Sequence, residues 1–180
     1  ADKETGIGNY SDQDFLNAVQ HGKRRDGAML YPAMPYTSYT YLSDDDTLAI
    51  KAYLFSLPPV RAAAPENTLT FPFNQRWAMW FWSTVFSPNT RYMPDTSKPP
   101  EWNRGAYLVN AFGHCAECHS PRNALGGIIA KQRFAGGPDP EGHGFVPNIT
   151  QKGLSDWSES DISYFLETGQ MPDGDSAGGS

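Results

Sequence analysis

Cysteine is scarce in this chain, which has only two in 180 residues, so at most one disulfide can form. Basic residues are outnumbered, with 14 Lys and Arg against 20 Asp and Glu and a formal net charge of −6. We therefore expect no binding to nucleic acid, because a phosphate backbone needs a basic surface. No apolar run approaches the roughly 20 residues that span a bilayer. Strand signals are equally few, and the sequence predicts an all-α fold with extensive loops.

Both cysteines lie in one pentapeptide, Cys115-Ala116-Glu117-Cys118-His119, which has the pattern C-x-x-C-H. Two thiols at this spacing on a helical turn can each form a thioether to a porphyrin vinyl group. The following imidazole can then bind the iron, which makes His119 the predicted proximal ligand. The motif predicts one covalently attached haem c.

Three alternatives to haem remain open for this motif. A zinc site needs four ligands, and only His114, His119, His143 and His21 could complete one, none of them in a recognisable second pair. A thioredoxin-like redox pair should lie next to a strand–helix pattern, which is not visible here. The third alternative is a purely structural or disulfide-linked pair.

An internal repeat relates the two ends of the chain at an offset of 147 residues. In both copies a serine cap is followed by an acidic residue three positions later, an apolar helical face and a glycine stop. The matched residues are Ser11 and Ser158, Asp14 and Asp161, and Gly22 and Gly169.

The first copy continues into a segment with Met34 and then a predicted helix from Asp44 to Leu57, capped by Ser43 and Asp46. We expect its inward residues to be Leu48, Ala49, Ala52 and Tyr53, and Pro58-Pro59 to stop it. The equivalent of Met34 in the second copy would fall just past Ser180. The chain is thus interpreted as the end of one cytochrome unit (1–57), a Pro- and aromatic-rich linker (58–100) and the haem-attachment part of a second unit (101–180).

These motifs resemble one protein family over essentially the whole chain. The matching segments are Leu30 to Tyr36, Gly105 to Val109, Gly113 to Arg122, Pro147 to Thr150 and Trp157-Ser158. They are similar to the multi-haem cytochrome c subunits of membrane-associated periplasmic dehydrogenases, which act on alcohols, aldehydes, gluconate and related substrates.

The resemblance implies a class I cytochrome c-like fold and an electron-transfer role rather than catalysis. Electrons would pass from a periplasmic catalytic subunit towards quinone or a terminal oxidase. It further implies a periplasmic location, at the outer face of the inner membrane, with peripheral membrane association. Because haem c is attached outside the cytoplasm and no signal peptide is visible, we expect Ala1 to follow a processing or expression boundary.

The sixth iron ligand is expected to be Met34, whose segment matches the one that carries the axial methionine in the family. Met171, 52 residues after His119, is the alternative. We hypothesise that the Met34 segment and the helix from Asp44 dock on the haem half, Arg104 to Ser180, within one chain or in a swapped homodimer. Otherwise water, His143, Met171 or an outside group would fill the sixth position.

Three further residues are candidate haem contacts. Arg122 can pair with a propionate as a bidentate donor, and Asn148 and Trp157 can line the propionate edge. The functional alternative to electron transfer is a haem protein with an open sixth site, either a peroxidase-like enzyme or a gas-binding sensor. A structural fragment with an incidental haem is a third class.

The remaining elements follow from local pattern. We expect a helix from Gly105 to Cys118 with Leu108, Val109 and Phe112 on one face, and a helix from Ser158 to Thr168. The apolar stretch 77–86 should form a short helix that packs on a domain or partner, with interfacial membrane contact as the lesser interpretation.

Overall fold

The computed structural model describes residues 1–139, 142 and 144–177 and is built mainly of helices and loops. Within that described part, the only sheet is a pair of two-residue antiparallel strands, β1 (Gly137–Pro138) and β2 (Phe145–Val146). The prediction of a helix-rich, loop-rich chain is therefore confirmed.

Two compact units make up the chain, Ala1–His114 and Cys115–Ser180. The first contains the helices α1 (Asp12–His21), α2 (Tyr36–Tyr39), α3 (Asp44–Ser56), α4 (Ala78–Phe86) and α5 (Pro100–Tyr107), with a π-helical turn over Leu108–Phe112. The second contains the 3₁₀ turns Cys115–Glu117 and Ala130–Gln132, the strand pair, and α6 (Glu159–Thr168). The boundaries predicted at residues 57 and 100 divide the sequence into parts of two cytochrome units and a linker, not into compact units of the structure. That division stays a prediction.

The core of the first unit joins its two ends. Phe15, Val19 and Leu42 pack with Tyr107 and Ala111, which belong to the segment that leads directly into Cys115. The Tyr107 hydroxyl donates to Asp46 Oδ2 at 2.6 Å and accepts from the Ser43 N–H at 3.0 Å. The helix before the C-x-x-C-H motif is thereby fastened to the start of α3.

The predicted helix from Gly105 to Cys118 is wrong in its bounds, and of its three predicted face residues only Phe112 packs against the core. The helix begins at Pro100, whose fixed φ suits a first helical position, widens into the π-helical turn after Tyr107 and ends before His114, where φ is +37°. Leu108 and Val109 are 40% and 39% exposed. Tyr107 and Ala111 are the buried residues of this segment, and the wider π-helical turn after Tyr107 changes which side chains face the core.

The predicted α3 has the right bounds but a different inward face. Ser43 Oγ accepts from the Asp46 N–H at 3.1 Å, which confirms the cap. Of the four predicted inward residues, Leu48 is partly buried and Ala49, Ala52 and Tyr53 are exposed. Thr47 is fully buried instead.

A buried glutamine explains this rotation of α3. Gln20 of α1 has no exposed surface, and its amide nitrogen donates to Thr47 Oγ1 at 3.0 Å and to Asp44 Oδ1 at 3.1 Å. Its oxygen accepts from Arg91, which also pairs with Asp44 at 3.1 Å. Since a buried amide must be satisfied, these bonds turn Thr47 rather than Ala49 towards α1.

Both copies of the repeat form the same local structure. α1 and α6 each have ten residues, a reciprocal capping box at Ser11/Asp14 and Ser158/Asp161, and a left-handed glycine at the C-terminus. After each helix comes a hairpin closed by an isolated bridge, Lys23 with Met29 and Gln170 with Ser176. The prediction of a repeated cap, helix and glycine stop is confirmed.

A third copy of this hairpin follows the C-x-x-C-H motif. The bridge joins Arg122 with Ile128, the Asn123 N–H donates to Gly127 O, and the Ile129 N–H donates to Pro121 O. The same pattern of backbone bonds occurs in residues 22–30 and 169–177. One nine-residue turn is therefore used three times, with different side chains.

The predicted short helix in the linker is confirmed as α4, and it carries no charged side chain. Its inner face holds Trp82, whose ring packs edge-on against Tyr36 at 6.4 Å. Its outer face exposes Trp80 and Phe81, at 67% and 69%. None of the helices in the described ranges is long and apolar enough to cross a membrane.

Candidate haem attachment site

The C-x-x-C-H pentapeptide forms a closed turn at the start of the second unit. A 3₁₀ turn covers Cys115–Glu117, and the His119 N–H donates to the Cys115 carbonyl at 2.9 Å. Both cysteines are free thiols, Cys115 partly buried and Cys118 exposed. This arrangement leaves two thiols available for thioether formation, as the motif requires.

The His119 ring is oriented by a backbone carbonyl. Its Nδ1 lies 2.8 Å from the Pro147 oxygen. Because a carbonyl can only accept, Nδ1 must carry the proton, and Nε2 is left with a lone pair for a metal. A hydrogen bond of this kind fixes the tautomer of metal-binding histidines and raises the basicity of the ligating nitrogen.

The Pro147 carbonyl is held in place by the strand pair. Gly137 pairs with Val146, directly before Pro147, and the Ile149 N–H donates to Phe134 O at 3.0 Å. These bonds fix the backbone on both sides of Pro147. The short strands β1 and β2 thus position the carbonyl that orients the proximal histidine.

Gly136 links this loop to the motif. Its N–H donates to the His119 carbonyl at 2.8 Å, and its φ is +76°. A Cβ at Gly136 would lie 2.6 Å from Val146 O and 2.9 Å from the Pro147 carbonyl carbon. Only glycine therefore fits between His119 and the chain that orients it.

Arg122 binds protein acceptors, whereas the sequence predicted only a haem propionate as its partner. Its guanidinium donates to Glu117 Oε2 at 2.7 Å, to Glu117 O at 2.8 Å and to Gly126 O at 2.8 Å. Glu117 is buried, at 9% exposure, inside the motif itself. The pairing of Arg122 with a propionate stays a prediction.

Asn148 and Trp157 have local structural contacts. The Asn148 oxygen accepts from the Thr150 N–H at 2.9 Å and from its hydroxyl at 2.7 Å, which closes a turn. The Trp157 ring packs edge-on against Phe165 of α6 at 5.4 Å. Their predicted place at the propionate edge stays untested.

The two candidate sixth ligands lie in different units. Met34 is partly buried against the core of the first unit, and its carbonyl accepts from the Tyr36 N–H at 2.7 Å. Met171 lies in the hairpin after α6, where its N–H donates to the Asp175 carbonyl. The identity of the sixth ligand stays a prediction.

The contacts of the other histidines do not indicate iron binding. The His114 ring packs edge-on against Tyr39 at 5.6 Å, and burial lowers the pKa of His21. His143 lies outside the described residues. Across the described ranges, no group of three or more His, Cys, Asp or Glu is placed to hold a metal ion.

The donor set fits a haem c. Two free thiols in one turn, a following imidazole with a fixed tautomer, and a carbonyl that orients it are the groups that the attachment needs. Sequence patterns identified Cys115, Cys118 and His119 but missed Gly136 and Glu117. A glycine before a short strand is the only signal for Gly136, and no local signal pairs Glu117 with Arg122.

Comparison with known proteins gives relatives over nearly the whole chain, although no family model matches it. A diheme cytochrome c-type protein of Cereibacter sphaeroides is 43% identical over 178 residues, 99% of this chain and 60% of that protein. The fructose dehydrogenase cytochrome subunit of Gluconobacter japonicus is 40% identical over 182 residues, 98% of this chain and 37% of that protein. The gluconate 2-dehydrogenase cytochrome c subunit of Pantoea cypripedii is 38% identical over 180 residues, 94% of this chain and 41% of that protein.

The chain thus spans three-fifths of the first of these relatives and smaller parts of the other two. The cytochrome c subunit of a quinone-dependent alcohol dehydrogenase from Gluconobacter oxydans is 39% identical to it. The names agree with the thiol and imidazole chemistry of residues 115–119. The chain is homologous, over nearly its whole length, to the cytochrome c subunits of bacterial dehydrogenases.

Proposed function

We propose that this chain is a c-type cytochrome that binds one haem c covalently and transfers electrons without catalysing a substrate reaction. The observation that carries this is the His119 Nδ1 to Pro147 O hydrogen bond beside two free thiols. A redox pair of cysteines needs no such oriented imidazole, and a structural zinc needs a four-ligand group that the described residues do not form. The proposal includes a class I cytochrome c-like fold with part of a second cytochrome unit.

Each residue has a defined task in this proposal. Cys115 and Cys118 form the two thioethers, and His119 offers Nε2 to the iron. Gly136 and the Pro147 carbonyl keep the imidazole oriented when the oxidation state changes. The bound haem supplies a one-electron ferric/ferrous couple, and the protein sets its potential and docking geometry.

The relatives suggest where the electrons come from and go to. Several are named as cytochrome subunits of fructose, gluconate or alcohol dehydrogenases, the last described as quinone-dependent. We infer that this chain accepts electrons from a catalytic dehydrogenase subunit and passes them towards quinone or a terminal oxidase. A periplasmic location at the outer face of the inner membrane follows, with the aromatic face of α4 as a candidate peripheral membrane contact.

Met34 is the proposed sixth ligand, supplied from the first unit. Its support is that the core against which Met34 packs includes Tyr107 and Ala111. These residues lie in the segment that runs directly into Cys115. A soft thioether opposite His119 would stabilise ferrous iron and raise the potential. Met171 is the alternative.

Haem attachment is tested by expressing the chain with a periplasmic cytochrome c maturation system. The pyridine haemochrome spectrum should show two saturated vinyl groups in the wild type. Cys115→Ser and Cys118→Ser should each shift it to a single thioether, and His119→Ala should lose low-spin iron. Replacing the exposed Lys131 with Gln is the control and should leave the spectrum unchanged. A wild-type chain that matures without covalent haem would refute the proposal.

The sixth ligand is tested by the weak near-infrared band that reports iron–methionine sulfur bonding. It should be present in the wild type, lost in Met34→Ala and retained in Met171→Ala. The opposite result assigns the ligand to Met171, and absence of the band in the wild type excludes both. Sedimentation velocity of the haem form separates docking within one chain, a monomer, from a swapped homodimer.

A further inference from the structure

Glu117 is a carboxylate buried between the two haem-binding cysteines. It lies two residues after Cys115 and directly before Cys118, and it is 9% exposed. An acidic side chain is almost never buried this far unless it is paired, because desolvation of the charge is costly. The partner charge is the Arg122 guanidinium, 2.7 Å from Glu117 Oε2.

Arg122 binds more than the carboxylate. One of its terminal nitrogens donates to both Glu117 Oε2 and the Glu117 carbonyl, and the other donates to the Gly126 carbonyl at 2.8 Å. The planar fork of arginine reaches these acceptors together, which a lysine cannot do. Arg122 therefore ties the C-x-x-C-H turn to the hairpin 121–129.

The ion pair is specific to one of the three hairpins. At the bridge position of Arg122 the other two hairpins carry Lys23 and Gln170. Neither of these makes an ion pair among the described residues. Since the backbone of the three hairpins is the same, the pair is not needed to form the hairpin. The Glu117–Arg122 pair is distinguished by its position beside the thiols of Cys115 and Cys118.

We propose that the Glu117–Arg122 ion pair is a positioning and potential-setting element of the haem site. Arg122 holds the attachment turn closed and places a positive charge 2.7 Å from the buried Glu117 carboxylate, between the two haem-binding cysteines. This inference rests on the proposed haem function, and it gives Arg122 a role other than pairing with a propionate. A charge close to the iron acts on the two oxidation states unequally, because the ferric form carries one more positive charge.

The effects of the two single substitutions should be opposite. Glu117→Gln removes a negative charge from the haem-attachment turn, which destabilises the ferric form and raises the midpoint potential. Arg122→Gln removes the positive charge of the pair, which stabilises the ferric form and lowers the potential. The double variant Glu117→Gln/Arg122→Gln should return close to the wild-type value, because the net charge of the pair is again zero.

A conservative variant separates charge from position. Arg122→Lys keeps the charge but cannot reach all three acceptors, so the potential should stay near the wild-type value. The yield of covalent haem should nevertheless fall, because the turn is held less tightly. Lys131→Gln, an exposed change of the same charge in the same unit, serves as the control for general charge effects.

The experiment is a potentiometric titration of the matured haem form of each variant, together with its haemochrome yield. Opposite shifts in the single variants, both larger than that of Lys131→Gln, support the inference. Shifts of the same sign, or no larger than the control, overturn it while the proposed function stands. If a single variant yields no holoprotein, the double variant and Arg122→Lys decide, since a potential further from the wild-type value than that of Lys131→Gln in either of them overturns the potential-setting role. A wild-type chain without haem overturns both proposals.

Discussion

α1 and α6 are the same local structure in two different surroundings. Both begin with a serine–aspartate capping box, end at a left-handed glycine and continue into the same hairpin. Their apolar faces differ, since Val19 is 9% exposed and its counterpart Leu166 is 78% exposed. Caps and hairpins are thus determined by a few neighbouring residues, whereas burial depends on which helices lie against the face.

The surroundings of α1 account for this difference. α2 and α3 pack on α1, and Tyr107 completes the core around Phe15 and Val19. At the position of the fully buried Gln20, α6 carries the exposed Glu167. Glu167 suits solvent at the position where Gln20 is buried, whereas Leu166 keeps an apolar side chain and is exposed all the same.

The largest expected contrast comes from removing core contacts in α1. Phe15→Ala deletes a side chain that is 4% exposed and should cost about 3 to 5 kcal/mol of unfolding free energy, through lost burial and a cavity. Leu166→Ala on the exposed face of α6 should cost about 0.5 kcal/mol or less. Hydrogen exchange of the helix amides measures both. Equal loss of protection in α1 and α6 would show that the two helices are equally packed.

The C-terminal glycines of α1 and α6 should give the second largest difference in stability between the two copies of the repeat. Gly22 has φ +63°, and a Cβ there would lie 2.6 Å from the Tyr36 ring. Gly22→Ala should therefore cost about 2 to 4 kcal/mol, by left-handed strain and overpacking together. Gly169 has φ +74° with nothing near its Cβ, so Gly169→Ala should cost only the strain, about 1 to 2 kcal/mol. Urea denaturation followed by circular dichroism measures the two; identical costs would exclude the Tyr36 contact.

Loss of a buried polar contact should give a smaller difference in stability between α1 and α6. Gln20→Ala leaves Thr47 and Arg91 without an amide partner and should cost about 1 to 3 kcal/mol. Glu167→Ala, at the same position of α6, should stay within about 0.5 kcal/mol of the wild type. Thermal unfolding of the two variants checks this, and a loss in Glu167→Ala equal to that in Gln20→Ala would contradict it.

The difference between local caps and long-range packing also explains which features could be predicted from the sequence. The caps at Ser11, Ser43 and Ser158 follow from residues three apart, and the C-x-x-C-H turn is defined by five consecutive residues. The inward face predicted for α3 was wrong at Ala49, Ala52 and Tyr53, because distant contacts set the rotation of the helix. At the end of α5, Tyr107 is buried and Leu108 is exposed for the same reason. Gln20 reaches across 27 residues to Thr47, and Tyr107 reaches across 61 to Asp46.

Within the haem site, the limits of sequence prediction are similar. The Pro147 carbonyl lies 28 residues from His119, and a carbonyl has no side-chain signature. Arg122 was identified as a candidate contact, but its partner Glu117 was not, since an acidic residue inside the motif has no special local pattern. Side chains that bind through their own chemistry are visible in a sequence, whereas those that position others are not.

The smallest expected effect tests whether the two caps are truly local. Hydrogen bonds from Ser11 and Ser158 lower the pKa of Asp14 and Asp161, respectively, and Arg25 and Lys51 lower that of Asp14 further. An aspartate with a depressed pKa stabilises the fold above its unfolded pKa, near 3.9, and loses this contribution as the pH falls through the folded pKa. Both helix starts should therefore weaken only at acid pH, with the pKa of each aspartate below its ordinary value. Carboxyl chemical shifts followed from neutral to acid pH measure the two pKa values, and Asp14→Asn and Asp161→Asn identify the signals. If Asp161 kept an ordinary pKa while Asp14 did not, the cap of α1 would depend on its packing, and the two copies would differ in local structure as well as in burial.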